Sequence, residues 1–314
     1  MKMAEEVVLG IDVSKLRLDV AVLSTGEVFA VNNDAAGWSK LTGRLKGLAV
    51  KAIGLEPSGG YERDVVRALR RAGLPVRVVN PHRLRQYARA LGRLAKNDRL
   101  DAMMIARYVA ELAPREPRCD PRTDQMAELV VARRQLTEDK VRLGNQLEQV
   151  RDPALRRMLS QRLRRLAAEI VLIARRLAEI VAAAPDLAAK DRLIQSFPGA
   201  GAGFSHTLLA LVPEIDDANR RELAALIGVA PFDDDSGQRR GKRRIFGGRA
   251  EIRRVAYMAA LAAARCNPLM KAYRDRLVAS GVPPKAAIIA VARRMLGIIL
   301  AMLRKDEVYN PVHA

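Results

Sequence analysis

The chain has 314 residues, with 55 Lys plus Arg against 35 Asp plus Glu and a formal net charge of +20. That length allows two domains with real cores, and that field draws polyanions, so nucleic acid is the first partner to consider. Three alternatives are disfavoured: a membrane span, because the apolar stretch Ala286 to Leu303 is interrupted by Arg293 and Arg294; secretion, because MKMAEE lacks a basic region followed by a long apolar segment; and zinc or disulfide scaffolding, because the two cysteines, Cys119 and Cys266, lie far apart.

In chain order, Val7, Val8, Leu9 and Ile11 predict a buried strand that ends at Asp12. Taking an unpaired carboxylate out of water costs on the order of several kcal/mol, so an acid there calls for a cation, a donor or a metal. Leu16, Leu18, Val20 and Val22 predict a second strand folding back as a hairpin, and Glu27 to Val31 a third. Asn33 or Asp34 can cap a helix to about Lys46 with Trp38, Leu41 and Leu45 on one face. Val50 to Leu55 predicts a strand that delivers a second acid, Glu56, before Pro57, Ser58, Gly59 and Gly60. A helix from Tyr61 to Ala72, stopped by Gly73, and a strand from Pro75 to Val79 follow. Three antiparallel strands and then β-α-β alternation predict an α/β domain with a ribonuclease H-like sheet.

From Pro81 the chain turns basic, through His82, Arg83, Arg85, Arg89, Arg93, Lys96 and Arg99. Within it, KNDRLDAMMIARY predicts a helix to about Leu112, capped by Asn97 or Asp98, with Asp98 and Asp101 on one face of the first turn. Plain capping by an acid at a helix N-terminus is the competing reading. Pro114, Pro117 and Pro121 mark a linker. Gln125 to Ala184 is helical by pattern, broken at Asp152 and Pro153. Leu129, Leu136, Leu143 and Val150 recur at heptad spacing in the first half, although Arg133 and Lys140 occupy the second seam position. The second half has a cleaner seam in Leu159, Leu163, Leu166, Ile170, Ile173, Leu177, Ile180 and Ala184. An antiparallel coiled-coil arm is expected, packed on itself or on another subunit.

The remainder reads as all-α. Phe197 to Val212 resembles a helix-hairpin-helix element that offers backbone N–H groups to phosphate, with an ordinary turn before a core helix as the alternative. Between Gly228 and Gly248 glycines and polar residues predict a loop. Arg239, Arg240, Lys242, Arg243, Arg244, Arg249, Arg253 and Arg254 face one acid, Glu251, and Ser236 heads this cationic run. Glycines among arginines suit close approach to a phosphate backbone, so these cations and Arg83, Arg85, Arg89 and Lys96 are candidate nucleic-acid contacts. Ala250 to Arg265 and Pro284 to Arg304 predict closing helices.

If the sheet has the expected order, Asp12, Glu56, Asp98 and Asp101 converge at one edge. Oxygen ligands without His or Cys select Mg²⁺ or Mn²⁺, and two such ions about 4 Å apart suit phosphodiester chemistry. The strings GIDVSKLRLDVAVL, GLEPSGGYE, KNDRLDAMMIARY and GVAPFDDDSGQRRGKRRIFGGRAEIRRVAYMAA resemble the DEDD transposases of the insertion sequence 110 family, relatives of the Piv DNA invertases. The resemblance implies a RuvC-like catalytic domain over residues 1–115, a coiled-coil connector over 116–188 and a transposase domain over 189–314. It implies that the four acids hold metal and that Ser236 is the nucleophile in a covalent serine-DNA intermediate. It further implies a composite site between subunits of a dimer or tetramer, double-stranded donor and target DNA, a structured guide RNA, and a bacterial, nucleoid-associated cytoplasmic location. Two features depart from the family pattern: Ser58 stands where threonine is frequent, and Asp233, Asp234 and Asp235 precede Ser236. A nuclease in which water attacks, or a basic architectural binder without catalysis, are the alternative readings.

Overall fold

The computed structural model describes residues 6–92, 98–112, 120–232 and 244–313. The chain divides into two compact units, Met1–Pro117 and Arg118–Ala314. A mixed α/β sheet domain is followed by a mostly helical remainder.

The first unit runs β1 (Val7–Val13), β2 (Arg17–Val22), β3 (Val28–Asn32), α1 (Ala35–Leu45), β4 (Val50–Leu55), α2 (Arg63–Arg71), β5 (Val76–Val78), α3 (Pro81–Ala90) and α4 (Asp98–Leu112). The sheet order is β3-β2-β1-β4-β5. β1, β2 and β3 pair antiparallel, while β4 and β5 run parallel to β1. Both faces are covered. Leu9, Ile11, Leu18, Val20, Ile53 and Leu55 form one core with Leu41 and Leu45 of α1 and Val65 and Leu69 of α2. Val8 and Ala52 face the other way, onto Met104, Ile105, Tyr108 and Val109 of α4 and Leu84 of α3. The expected strands and helices up to Val79 are present, trimmed by a residue or two at their ends. The basic segment after Pro81 holds a helix that charge alone did not announce. Asn80 accepts the N–H groups of His82 and Arg83 at 2.9 and 3.2 Å, and Leu84 turns inward while Arg83, Arg85 and Arg89 are exposed.

The second unit runs α5 (Pro121–Gln149), α6 (Pro153–Ala182), α7 (Pro185–Ser196), α8 (Ala202–Leu211), a 3₁₀ turn (Pro213–Asp216), α9 (Arg220–Ile227), β6 (Pro231–Phe232), β7 (Arg244–Ile245), α10 (Ala250–Cys266), α11 (Pro268–Ala279) and α12 (Pro284–Lys305). Proline opens five of these helices, where its missing N–H costs nothing, and Asp120, Asp152 and Asn267 cap three of them. α5 and α6 pack along each other as the arm, with Leu143, Leu159 and Leu177 buried and the other leucines of both seams half-buried. Arg156 closes the turn between them by donating to the Leu147 and Val150 carbonyls at 3.0 and 2.6 Å. Arg133 interrupts the seam for a reason. Its guanidinium donates to Thr207 Oγ1 at 2.9 Å and the Gly203 carbonyl at 3.2 Å, tying α5 to α8, and burial pulls its pKa below the usual arginine value. α12 is long and apolar enough to cross a membrane by composition, yet Val291, Met295 and Ile299 lie fully buried in the helical core.

Candidate carboxylate site and cationic ribbon

Side chains alternate along a strand, so Val8, Gly10 and Asp12 share one face of β1, and Ala52, Gly54 and Glu56 share the same face of β4. Val8 and Ala52 pack against the helical cover, which identifies that face as the one under α4. α4 lies directly on the sheet there. A Cβ at Gly10 would stand 2.0 Å from the Ala102 carbonyl oxygen and 2.4 Å from the Ala106 nitrogen; one at Gly54 would stand 2.5 Å from Val109 Cγ2 and 2.7 Å from Ile105 Cγ2. Gly10 and Gly54 are registered partners, as are Ile11 and Leu55, which brings Asp12 and Glu56 to adjacent strand ends. Along β1 from Val8 to Gly10 the facing residues of α4 step back from Tyr108 and Val109 toward Ala102. The first turn of α4, which carries Asp98 and Asp101, therefore lies toward the Asp12 end of the strand.

Asp12, Glu56 and Asp101 are each partly buried. The side chain of Asp98 lies outside the described residues. Among the described residues no group of three or more His, Cys, Asp or Glu side chains is close enough to hold a metal ion, so the convergence is one of elements and faces. The donor chemistry nonetheless fits a hard cation, since every acid on this face offers oxygen. A fifth acid was missed in the sequence. Asp19 on β2 is registered directly opposite Asp12, is 7 % exposed, and accepts from Arg17 Nε at 3.1 Å and Nη2 at 2.6 Å. The signal was available: Leu18 and Val20 point into the opposite core, so Asp19 must share the face of Asp12. The turn after Glu56 is held by another acid. Glu62 Oε2 accepts the N–H groups of Ser58 at 3.0 Å and Gly60 at 2.9 Å, and Gly59 and Gly60 take φ of 72° and 109°, which explains two glycines in that motif.

In the second unit the predicted loop closes at its base as a ribbon, with Pro231 registered to Ile245 and Phe232 to Arg244. Ser236 and Asp233, Asp234 and Asp235, with Arg239, Arg240, Lys242 and Arg243, lie outside the described residues, as does Lys96. The foot of the ribbon is pinned by backbone. A Cβ at Gly248 (φ 68°) would stand 2.3 Å from the Gly228 nitrogen, and one at Gly228 (φ 80°) would stand 2.4 Å from the Gly247 carbonyl oxygen. Arg249 is occupied by the fold rather than open to a ligand: its Nη1 and Nη2 donate to Glu214 at 2.9 and 2.5 Å, and Nη1 also reaches the Leu211 carbonyl. Arg253 Nη1 donates to the Gly247 carbonyl at 2.5 Å. Arg244 is exposed.

Two further polar clusters stand in this unit. Between α5 and α10 a cleft of about 640 Å³ is lined by Arg133, Arg134, Glu138, Arg142, Glu251 and Arg254. Glu138 accepts from Arg134 and Arg254 at 2.9 and 3.0 Å, and those cations hold its carboxyl below the usual range. Between α7 and α8, Asp191 accepts from buried Ser205 at 2.5 Å and from Gln195 at 2.7 Å, with His206 Nε2 3.5 Å away. Burial would raise the Asp191 carboxyl, but these donors outweigh it and keep the group below its ordinary value. Ser205 is thus a core hydroxyl.

Fold and site together define a protein with a carboxylate-bearing α/β domain and a helical domain that carries a cationic ribbon. A family described as "Transposase", of the insertion sequence 110 DEDD type, matches residues 9–153, and "Transposase IS116/IS110/IS902 family" matches residues 191–275. The chain belongs to the insertion sequence 110 family of transposases. It is 25% identical to the pilin gene-inverting protein of Moraxella bovis over 96% of this chain and 97% of that protein. The pilin gene-inverting protein of Moraxella lacunata is 24% identical over the same shares. A 42 kDa protein of insertion element IS900 from Mycobacterium paratuberculosis is 33% identical over 38% of this chain and 31% of its own length.

Proposed function

We propose that this chain is a DNA recombinase that cuts and rejoins strands of double-stranded donor and target DNA. The single observation that carries the reading is the glycine-mediated contact of α4 with β1 and β4, which gathers Asp12, Glu56 and the first turn of α4 at one edge of the sheet. The strand order, three antiparallel and two parallel, supports a ribonuclease H-like, RuvC-like domain over 1–115, with the arm as connector over 116–188 and the transposase domain over 189–314. Membership of the transposase family supports DNA as the substrate, and the net charge of +20 supports binding to it.

Asp12, Glu56, Asp98 and Asp101 would hold Mg²⁺ or Mn²⁺. When bound, such ions stabilise the attacking and leaving oxygens of a phosphodiester displacement. Ser236 is the proposed nucleophile: its hydroxyl oxygen attacks phosphorus, a DNA 3′ or 5′ oxygen leaves, and the serine-DNA ester conserves the bond for rejoining. A composite site between subunits and a structured guide RNA complete the reading. The test is strand exchange by the full chain with its flanking element DNA and RNA. Asp12→Asn and Ser236→Ala should each abolish exchange while leaving DNA retention intact. Cleavage that survives Ser236→Ala would favour water as nucleophile, and exchange that survives Asp12→Asn would remove the carboxylate site from the reaction.

A further inference from the structure

Of the five phenylalanines in the chain, Phe197 and Phe204 are buried in the helical core and Phe29 packs against the core of the sheet. The other two flank the ribbon. Phe232 is 49% exposed and Phe246 62%, with Ile245 between the strand and the turn at 37%. Phe232 is registered opposite Arg244, and by the two-residue alternation Phe246 falls on the same face. The order across this face is therefore ring, guanidinium, ring. Beneath it the chain is fixed by the Gly228 and Gly248 contact and by Arg249 on Glu214, so the face is presented on a pinned support.

Two exposed rings beside a cation, on a protein of net charge +20, match a nucleic-acid base with its phosphate: the rings take the base face and the guanidinium takes the charge. We propose that the Phe232–Arg244–Phe246 face is a stacking platform for an unpaired DNA base beside the site of strand exchange. This rests on the reading of the chain as a DNA recombinase and adds how the duplex is held open. Stacking needs a base that has left its partner, so the platform selects opened over paired DNA. It reads no sequence, because every base has a π-face.

The test uses the full-length protein and a mixed-sequence DNA duplex, either fully paired or carrying a small unpaired bubble. Wild type should bind the bubbled duplex about tenfold more tightly than the paired one, and the Phe232→Ala/Phe246→Ala double variant should lose that preference while keeping its affinity for paired DNA. Because both rings are exposed, the double variant should melt with wild type. If it does not, Phe246→Trp decides, since it should keep the preference and its indole fluorescence should be quenched by the bubble and not by paired DNA; the chain's other tryptophan is Trp38. Unchanged preference in the double variant, no preference in wild type, or an unquenched indole would overturn the proposal. So would preference for bubbled RNA without one for DNA, or a double variant whose only change is a smaller oligomer. Asp12→Asn should keep the preference, so loss of exchange in that variant and loss of stacking are read separately.

Discussion

The two units both rely on glycine, but for different ends. In the sheet domain Gly10 and Gly54 have ordinary backbone angles and are small so that a helix can settle on the strands; in the helical domain Gly228 and Gly248 have positive φ and let two backbone turns touch. The acids are thus placed by packing over a broad interface, whereas the ribbon is placed by a few backbone contacts and one arginine strap. Packing tolerates nothing larger at its contact. A backbone pin fails through strain and leaves the surrounding core intact.

That contrast can be broken experimentally, starting where the effect is largest. Gly10→Ala should push α4 off β1, because the obstacle is backbone, and overpacking of this kind costs ~1–3 kcal/mol. Displacing Asp98 and Asp101 by about 1 Å should lower strand exchange about a hundredfold, measured alongside the melting temperature. Gly248→Ala comes next. A non-glycine residue in the left-handed region costs ~1–2 kcal/mol, and the clash with Gly228 adds to it, so exchange should fall while circular dichroism of the sheet domain is unchanged. If Gly248→Ala instead melts the whole chain at lower temperature, the pin is part of the core and the contrast fails.

A smaller effect separates the arm from both sites. Arg122 bridges Asp120 at 2.6 Å and Asp186 at 2.7 Å, joining the start of α5 to the start of α7, and its hydrogen bonds hold both carboxyls below their usual range. A depressed carboxyl stabilises the folded state above its unfolded value near 4, and that contribution is lost as pH falls through the folded value. Arg122→Met should therefore lower the melting temperature at pH 7, and the gap from wild type should close as pH drops below about 4. The smallest effect is a control. Gly43 lies exposed in α1 with open space around a Cβ, so Gly43→Ala should stabilise by ~0.5–1 kcal/mol in chemical denaturation without changing exchange.

Most elements were legible because their patterns are local. The alternation in β1 and β2, the Asp34 and Asp152 caps, the heptad leucines of α6 and the proline-led helix starts all act within a few residues. Asp12 and Glu56 were legible for the same reason, as acids closing apolar strands. α3 was not, because its arginines obscured a single inward stripe of Leu84, Tyr87 and Ala88. Arg249 looked like one more cation for phosphate, and only the distant Glu214 shows that the fold occupies it.

Sequence alone determined the charge, the strands and helices, the acids at strand ends and the family motifs that carry them. Tertiary structure decided which of these meet. Asp19 joined the carboxylate face through antiparallel register, Arg133 became a strut through its reach to α8, and the two exposed phenylalanines came to flank Arg244 through ribbon pairing. The physical reason is range: propensity, capping and periodicity are settled by neighbours in the chain, whereas burial, register and charge pairing depend on which distant segment arrives.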